Sequence, residues 1–119
     1  MTSHQRIKVS EVGEVSIVEF VDTQVRDGLL IQDLAGELMS LAEKEHRHHL
    51  LLDFAGVDFF SSAALTKLLR LRKVVNSAGG SMKLCGLRPE IYYVFVVTNL
   101  TELFDIKEDR VEALATFSP

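Results

Sequence analysis

The chain carries one cysteine, two prolines and no low-complexity tract, and it has no apolar run approaching the roughly 20 residues of a membrane-spanning helix. Each shortage removes a class of explanation. The single Cys85 excludes an intrachain disulfide. With no signal-like start, the expected location is the cytoplasm. Positive charge is also short: 13 Lys and Arg stand against 17 Asp and Glu, for a formal net charge of −4. Binding to a phosphate backbone or an anionic lipid surface needs clustered cations, so neither nucleic acid nor membrane is an expected partner. The chain also lacks a glycine-rich phosphate loop, a Gly-x-Ser-x-Gly elbow and a cysteine pair at metal-ligand spacing. No cofactor, no metal and no enzymatic activity are expected.

What remains is enough to build a core. At 119 residues, 47% hydrophobic and 25% charged, the chain fits one domain spanning 1–119, its core covering about residues 6–117. Arg6 to Val12 and Val15 to Phe20 flank Gly13-Glu14 and predict a hairpin. From Gly28, Leu30, Leu34, Leu38 and Leu41 recur at helical spacing, with Ile31, Ala35 and Ala42 beside them. The run Leu50 to Phe54 is continuously apolar, as in a parallel strand buried on both faces. A second helix starts near Ser62, puts Leu65, Leu68, Leu69 and Val75 on one side and ends at Gly79-Gly80, which suits a left-handed cap. A strand follows over Met82 to Gly86. The segment after Pro89 has strand-like residues but opens with proline in the first-turn position, which favours helix. Ile91, Val94, Phe95 and Thr98 then share a face, and Asn99 closes the helix. A short strand around Phe104 to Ile106 and a short helix through Val111 to Leu114 complete the order. Alternating strands and helices predict an α/β fold with a mostly parallel sheet, the opening hairpin supplying an antiparallel edge.

Functional loops of such sheets lie at the carboxyl ends of the strands. The loop from Asp53 to Ser62 is one of them, and it delivers Ser61-Ser62 to the start of a helix. The first helical turn carries unpaired N–H groups and about half a positive charge. Phosphorylation of a hydroxyl there adds about −1.5 to −2 of charge. The plain alternative is that a serine only caps the helix. Asp53 and Asp58 flank the loop and fit either a polar cluster with Ser62 or ordinary turn chemistry. Lys67, Arg70, Arg72 and Lys73 make the outer side of the second helix basic, as a solvated face or as a match for an acidic partner. His46, His48 and His49 could bind a transition metal but read as structural or solvated, because the adjacent imidazoles of His48 and His49 point to opposite sides on a strand. Cys85 reads as a buried apolar thiol, and Tyr92 and Tyr93 carry no assigned role. A hydrolase using Ser62 lacks an identifiable base, since the histidines cluster at the far end of the strand.

The stretch Leu51 to Leu65 resembles the signature of STAS-domain anti-sigma factor antagonists. The resemblance continues through Gly79-Gly80, Leu84 to Leu87, Arg88-Pro89, Thr98 to Leu100, Leu103 to Ile106 and Glu112 to Leu114. It implies a single STAS-like α/β domain, with a mostly parallel mixed sheet and helices packed mainly on one face. Aligned on Leu65, the family's phosphorylated serine is Ser62, with Ser61 as the alternative acceptor. Ser61 stands for the motif's Asp, Ala63 for its second hydroxyl residue and Ala64 for its Gly. Val21 to Val25 replaces the family's Gly-x-Leu-Asp turn. The implied partner surface is Asp58, Phe60, Ser61, Ser62, Ala63, Thr66, Lys67 and Arg70. The implied partner is a GHKL-type serine-kinase anti-sigma factor, released on phosphorylation of Ser62, in bacterial transcription control. A scaffold or adaptor that docks through the same surface without being phosphorylated is the competing expectation. The chain is expected to be a monomer or a weak dimer, with the exposed edge strand as one route to pairing.

Overall fold

The computed structural model describes residues 4–26 and 28–117. Strands β1 (Ile7–Val12) and β2 (Val15–Phe20) form the antiparallel hairpin, and the two-residue strand β3 (Gln24–Val25) follows. Then come helix α1 (Leu29–Glu43), β4 (His49–Asp53), the two-residue β5 (Phe59–Phe60) and α2 (Ser62–Ser77). Strand β6 (Ser81–Cys85), α3 (Pro89–Val97), a 3-10 turn, β7 (Asp105–Lys107) and α4 (Arg110–Thr116) complete the order. The main sheet runs β1-β2-β4-β6-β7, parallel except for the opening hairpin. Strands β3 and β5 pair separately, in parallel, as a second small sheet.

Alternation across the strands divides the interior in two. Val18, Leu50, Leu52 and Leu84 face α1, α2 and α3, joined by Leu34, Leu38, Leu41, Leu68, Leu71 and Phe95 in the larger core. On the other face Val15, Ile17, Leu51 and Cys85 cluster with Ala113 of α4, with Leu114 and Phe117 at the margin. Burial of β4 on both faces explains its unbroken apolar run. Each fully buried Leu in these layers contributes roughly 1.5–3 kcal/mol.

Helix α2 buries Ala64, Leu65, Leu68, Leu71 and Val75. Leu69, placed with that set by sequence, is only partly buried. Gly79 takes φ 80, the left-handed conformation expected at the helix end. Helix α3 forms after Pro89, buries Ile91 and Phe95, and is followed by Asn99 at φ 61. Thr98, expected on the same face, is exposed, and its hydroxyl donates instead to the Val94 carbonyl at 2.6 Å. The last strand begins one residue later than expected because Phe104 leaves the sheet to pack against Phe95, with ring centroids 5.6 Å apart.

Candidate functional site

The loop between β4 and α2 is pinned at both ends and in its middle. The Phe54 amide donates to the Cys85 carbonyl at 2.8 Å, and the Val57 amide donates to the Phe54 carbonyl at 2.9 Å. Further on, the Asp58 and Phe59 amides donate to the Thr23 carbonyl and the Ser61 amide donates to the Val25 carbonyl. Below the loop, Phe54 and Phe60 pack edge to face at 5.1 Å, with Phe20 at 4.7 Å from Phe54 and 5.9 Å from Phe60. Offset and edge contacts of this kind add about 0.5–1.5 kcal/mol to the burial itself. The strand-to-helix corner therefore has a rigid aromatic floor.

On that floor the two serines do different things. Ser61 is extended (φ −73, ψ 162), and its Oγ accepts from the Ala64 amide at 3.2 Å. It is the N-cap, worth about 1 kcal/mol. Ser62 is the first helical residue and is exposed. Among the described residues its hydroxyl has no hydrogen-bond partner, and the amides of Ser62 and Ala63 are likewise unpaired. Thr66 donates its hydroxyl to the Ser62 carbonyl at 3.1 Å, which holds the Thr66 side chain against the first turn. An anionic group on Ser62 would sit at the positive end of a 16-residue helix, close to free amide donors.

The surroundings correct two readings of the sequence. Phe60, expected on the docking surface, is only 5% exposed, because adjacent strand residues point opposite ways and its ring fills the floor. The ring presented outward is Phe59, with the Arg26 guanidinium 4.9 Å from its centroid. Neither Arg26 nor Phe59 carries a motif signal, although strict two-residue alternation separates the two phenylalanines. Second, Asp53 and Asp58 do not gather around Ser62. The Asp58 carboxylate forms an ion pair with Arg88, its oxygen 3.0 Å from Nε, and both groups are about half exposed. Asp53 faces the α4 side of the sheet: Oδ1 accepts from the Ala55 amide at 2.9 Å, and Oδ2 accepts from Arg110 Nη2 at 2.8 Å and Nε at 3.1 Å. Ala63, Thr66 and Arg70 are exposed and Lys67 is half-buried on the outer side of α2.

Packing around Asp53 is tight. Gly86 has φ 71, and a Cβ there would lie 2.9 Å from Asp53 Oδ1. Burial, then the nearby Asp53 carboxylate, pushes the Cys85 thiol up to about 12, so it is inert at neutral pH. The hydrogen bond with Asp53 raises the Arg110 guanidinium above its ordinary value.

The histidines stand apart from this corner. His49 Nδ1 lies 2.8 Å from Ser81 Oγ as a cross-strand pair, and among the described residues no carboxylate bonds to that ring. Among those residues no group of His, Cys, Asp and Glu is arranged to hold a metal ion, and no helix is long and apolar enough to cross a membrane.

Residues 27–113 match the family model for the STAS domain. The chain is similar to a protein of Bordetella bronchiseptica named as a candidate anti-sigma factor antagonist, BtrV, with 30% identity over 72% of this chain and 73% of that one. Among solved structures, it is similar to an anti-sigma-factor antagonist STAS domain protein from Planctomyces limnophilus. The TM-score is 0.82 and the identity 25%, over 92% of this chain and 95% of that one. The fold is shared with the Bacillus cell fate determinant SpoIIAA in its phosphorylated form, at TM-score 0.69 and 13% identity over 92% of both chains.

Proposed function

The chain belongs to the STAS domain family of anti-sigma factor antagonists, and within that family we propose that it captures a GHKL-type serine-kinase anti-sigma factor and lets go when Ser62 is phosphorylated. The observation that carries this reading is the division of labour at the corner. Ser61 is occupied as the cap, while the Ser62 hydroxyl is exposed and unbonded one residue further on. The relative's name supplies the antagonist role, and a protein of the same fold occurs in a phosphorylated form.

The switch follows from electrostatics without a change of fold. Unmodified, the exposed surface of Ser62, Ala63, Thr66 and Arg70, with Lys67 and Phe59 alongside, is uncharged at its centre and basic toward the helix body. Phosphate adds about −1.5 to −2 of charge at that centre. Docking must then desolvate a dianion, which strips affinity unless the partner presents a matching cation. Phosphate at a helix start is also favourable to the fold itself. Modification therefore vetoes docking and leaves the domain intact, in the cytoplasm, as a regulatory protein without catalysis.

The test is Ser62→Asp against the cognate kinase, with binding followed by calorimetry. Affinity is expected to fall by about 100-fold or more, with the melting temperature unchanged or slightly raised. Wild-type affinity in Ser62→Asp would instead support the adaptor reading, in which this surface docks partners but is not a phosphorylation switch.

A further inference from the structure

Helix α3 has the sequence Pro89-Glu90-Ile91-Tyr92-Tyr93-Val94-Phe95-Val96-Val97, with no charged residue after Glu90. Ile91 and Phe95 fill the core on its inner side. On its outer side Tyr92 is 43% exposed, Tyr93 64%, Val96 44% and Val97 56%. A surface helix ordinarily turns a polar face to water, as α2 does with Arg70 and Lys73, whereas a helix apolar all round is one that is covered all round. Isolated exposed apolar residues such as Val12 or Val111 need no explanation. Four neighbouring ones, exposing roughly 400 Å² between them, match the patches that bind something.

We infer that this face is a self-association surface, on which a second copy of the chain packs its own α3 antiparallel to the first. The charge pattern fits this occupant. The centre of the face is uncharged, and the cation at its rim is already paired: Arg88 lies 3.0 Å from Asp58 and 3.9 Å from Glu90. A charged peptide would find nothing there to pair with, while an identical face brings no like charges to the centre. An antiparallel two-fold pair sets the helix dipoles in opposition and the Arg88 end of one helix beside the Glu102 end of the other. Tyr93, the midpoint of Pro89–Val97, falls at the axis and meets its own copy. Such a pair buries about 800 Å² in all, well below the range of standard stable interfaces, so the dimer is weak and concentration-dependent.

Sedimentation velocity on the full chain, from low to high micromolar, tests this directly. The wild type is expected to pass from monomer to dimer. Val97→Lys is expected to weaken association by about tenfold or more, by forcing an ammonium into the contact, with the thermal melt unchanged because Val97 is exposed. Under mild oxidation Tyr93→Cys is expected to give a covalent dimer. Buried Cys85 does not compete, and Val111→Cys on α4 is expected to stay monomeric. A wild type that stays monomeric throughout overturns the inference, as does Val97→Lys associating like wild type or Val111→Cys crosslinking as well as Tyr93→Cys. A monomeric wild type whose kinase binding is lost in Val97→Lys would assign the face to that partner and also overturn it.

Discussion

Two helices of this protein start with the same device and put it to different ends. At α2, Ser61 accepts the Ala64 amide at 3.2 Å; at α4, Asp109 accepts the Glu112 amide at 2.8 Å. Each capping residue is extended, and each bond closes the first turn three residues on. The next residue is where they part. Arg110 is drawn down by Asp53 and reaches Glu19 at 3.5 Å, so its side chain is spent on holding α4 to the sheet. Ser62 has no such claim on it among the described residues. A residue beside a cap is available for chemistry when the packing beneath is completed by others, and here Phe20, Phe54 and Phe60 complete it.

The comparison can be broken hardest from below α2. Phe60→Ala empties the aromatic floor and is expected to cost about 3–5 kcal/mol in urea unfolding, with looser placement of both serines. At α4, Asp53→Ala removes the acceptor shared by Ala55 and Arg110. Because Arg110 is 38% exposed, the expected cost is discounted for solvent to about 1–2 kcal/mol. Iodoacetamide labelling of Cys85, slow in the native protein, is expected to quicken in that variant as α4 loosens above the thiol. Ser61→Ala and Asp109→Ala sharpen the likeness between the two starts, each losing about 1 kcal/mol. Kinase release by phosphate on Ser62 is expected to survive both.

The smallest effect lies away from either helix start, at Asp105. Burial pulls its carboxyl upward, but hydrogen bonds from Lys83 and Lys107 outweigh that and hold it below the usual range. A carboxylate depressed by folding stabilises fully above its ordinary pKa of about 3.9 and loses that contribution as pH falls through its lower folded value. Unfolding midpoints followed from pH 5 downward are expected to fall less steeply in Lys83→Gln than in the wild type.

Periodicity carried most of the architecture. Leu34, Leu38 and Leu41 announced α1, the unbroken Leu50 to Phe54 run announced a strand buried on both faces, and Pro89 decided the ambiguous segment for helix. The small β3 and β5 sheet was not legible, because two-residue strands have no period and their pairing depends on tertiary contact between Gln24-Val25 and Phe59-Phe60. The serine corner was legible as a place but not as a division of roles, since either hydroxyl could cap and only backbone geometry assigns the cap to Ser61. Sequence left Asp53 open between a polar cluster with Ser62 and turn chemistry, and its bond to the Ala55 amide fits the second. Its hold on Arg110, 57 residues away, has no local signature. The face of α3 read from sequence, Ile91 with Phe95, is the one that is buried, but nothing in the spacing of Tyr92, Tyr93, Val96 and Val97 showed that they would lie together on the outside.

The most direct measurement is site mapping by mass spectrometry after the protein, Ser61→Ala and Ser62→Ala are each incubated with the cognate kinase and ATP. Phosphate on Ser62 in the wild type and in Ser61→Ala, and its absence from Ser62→Ala, is the predicted result. Phosphate on Ser61, or on neither serine, contradicts the account.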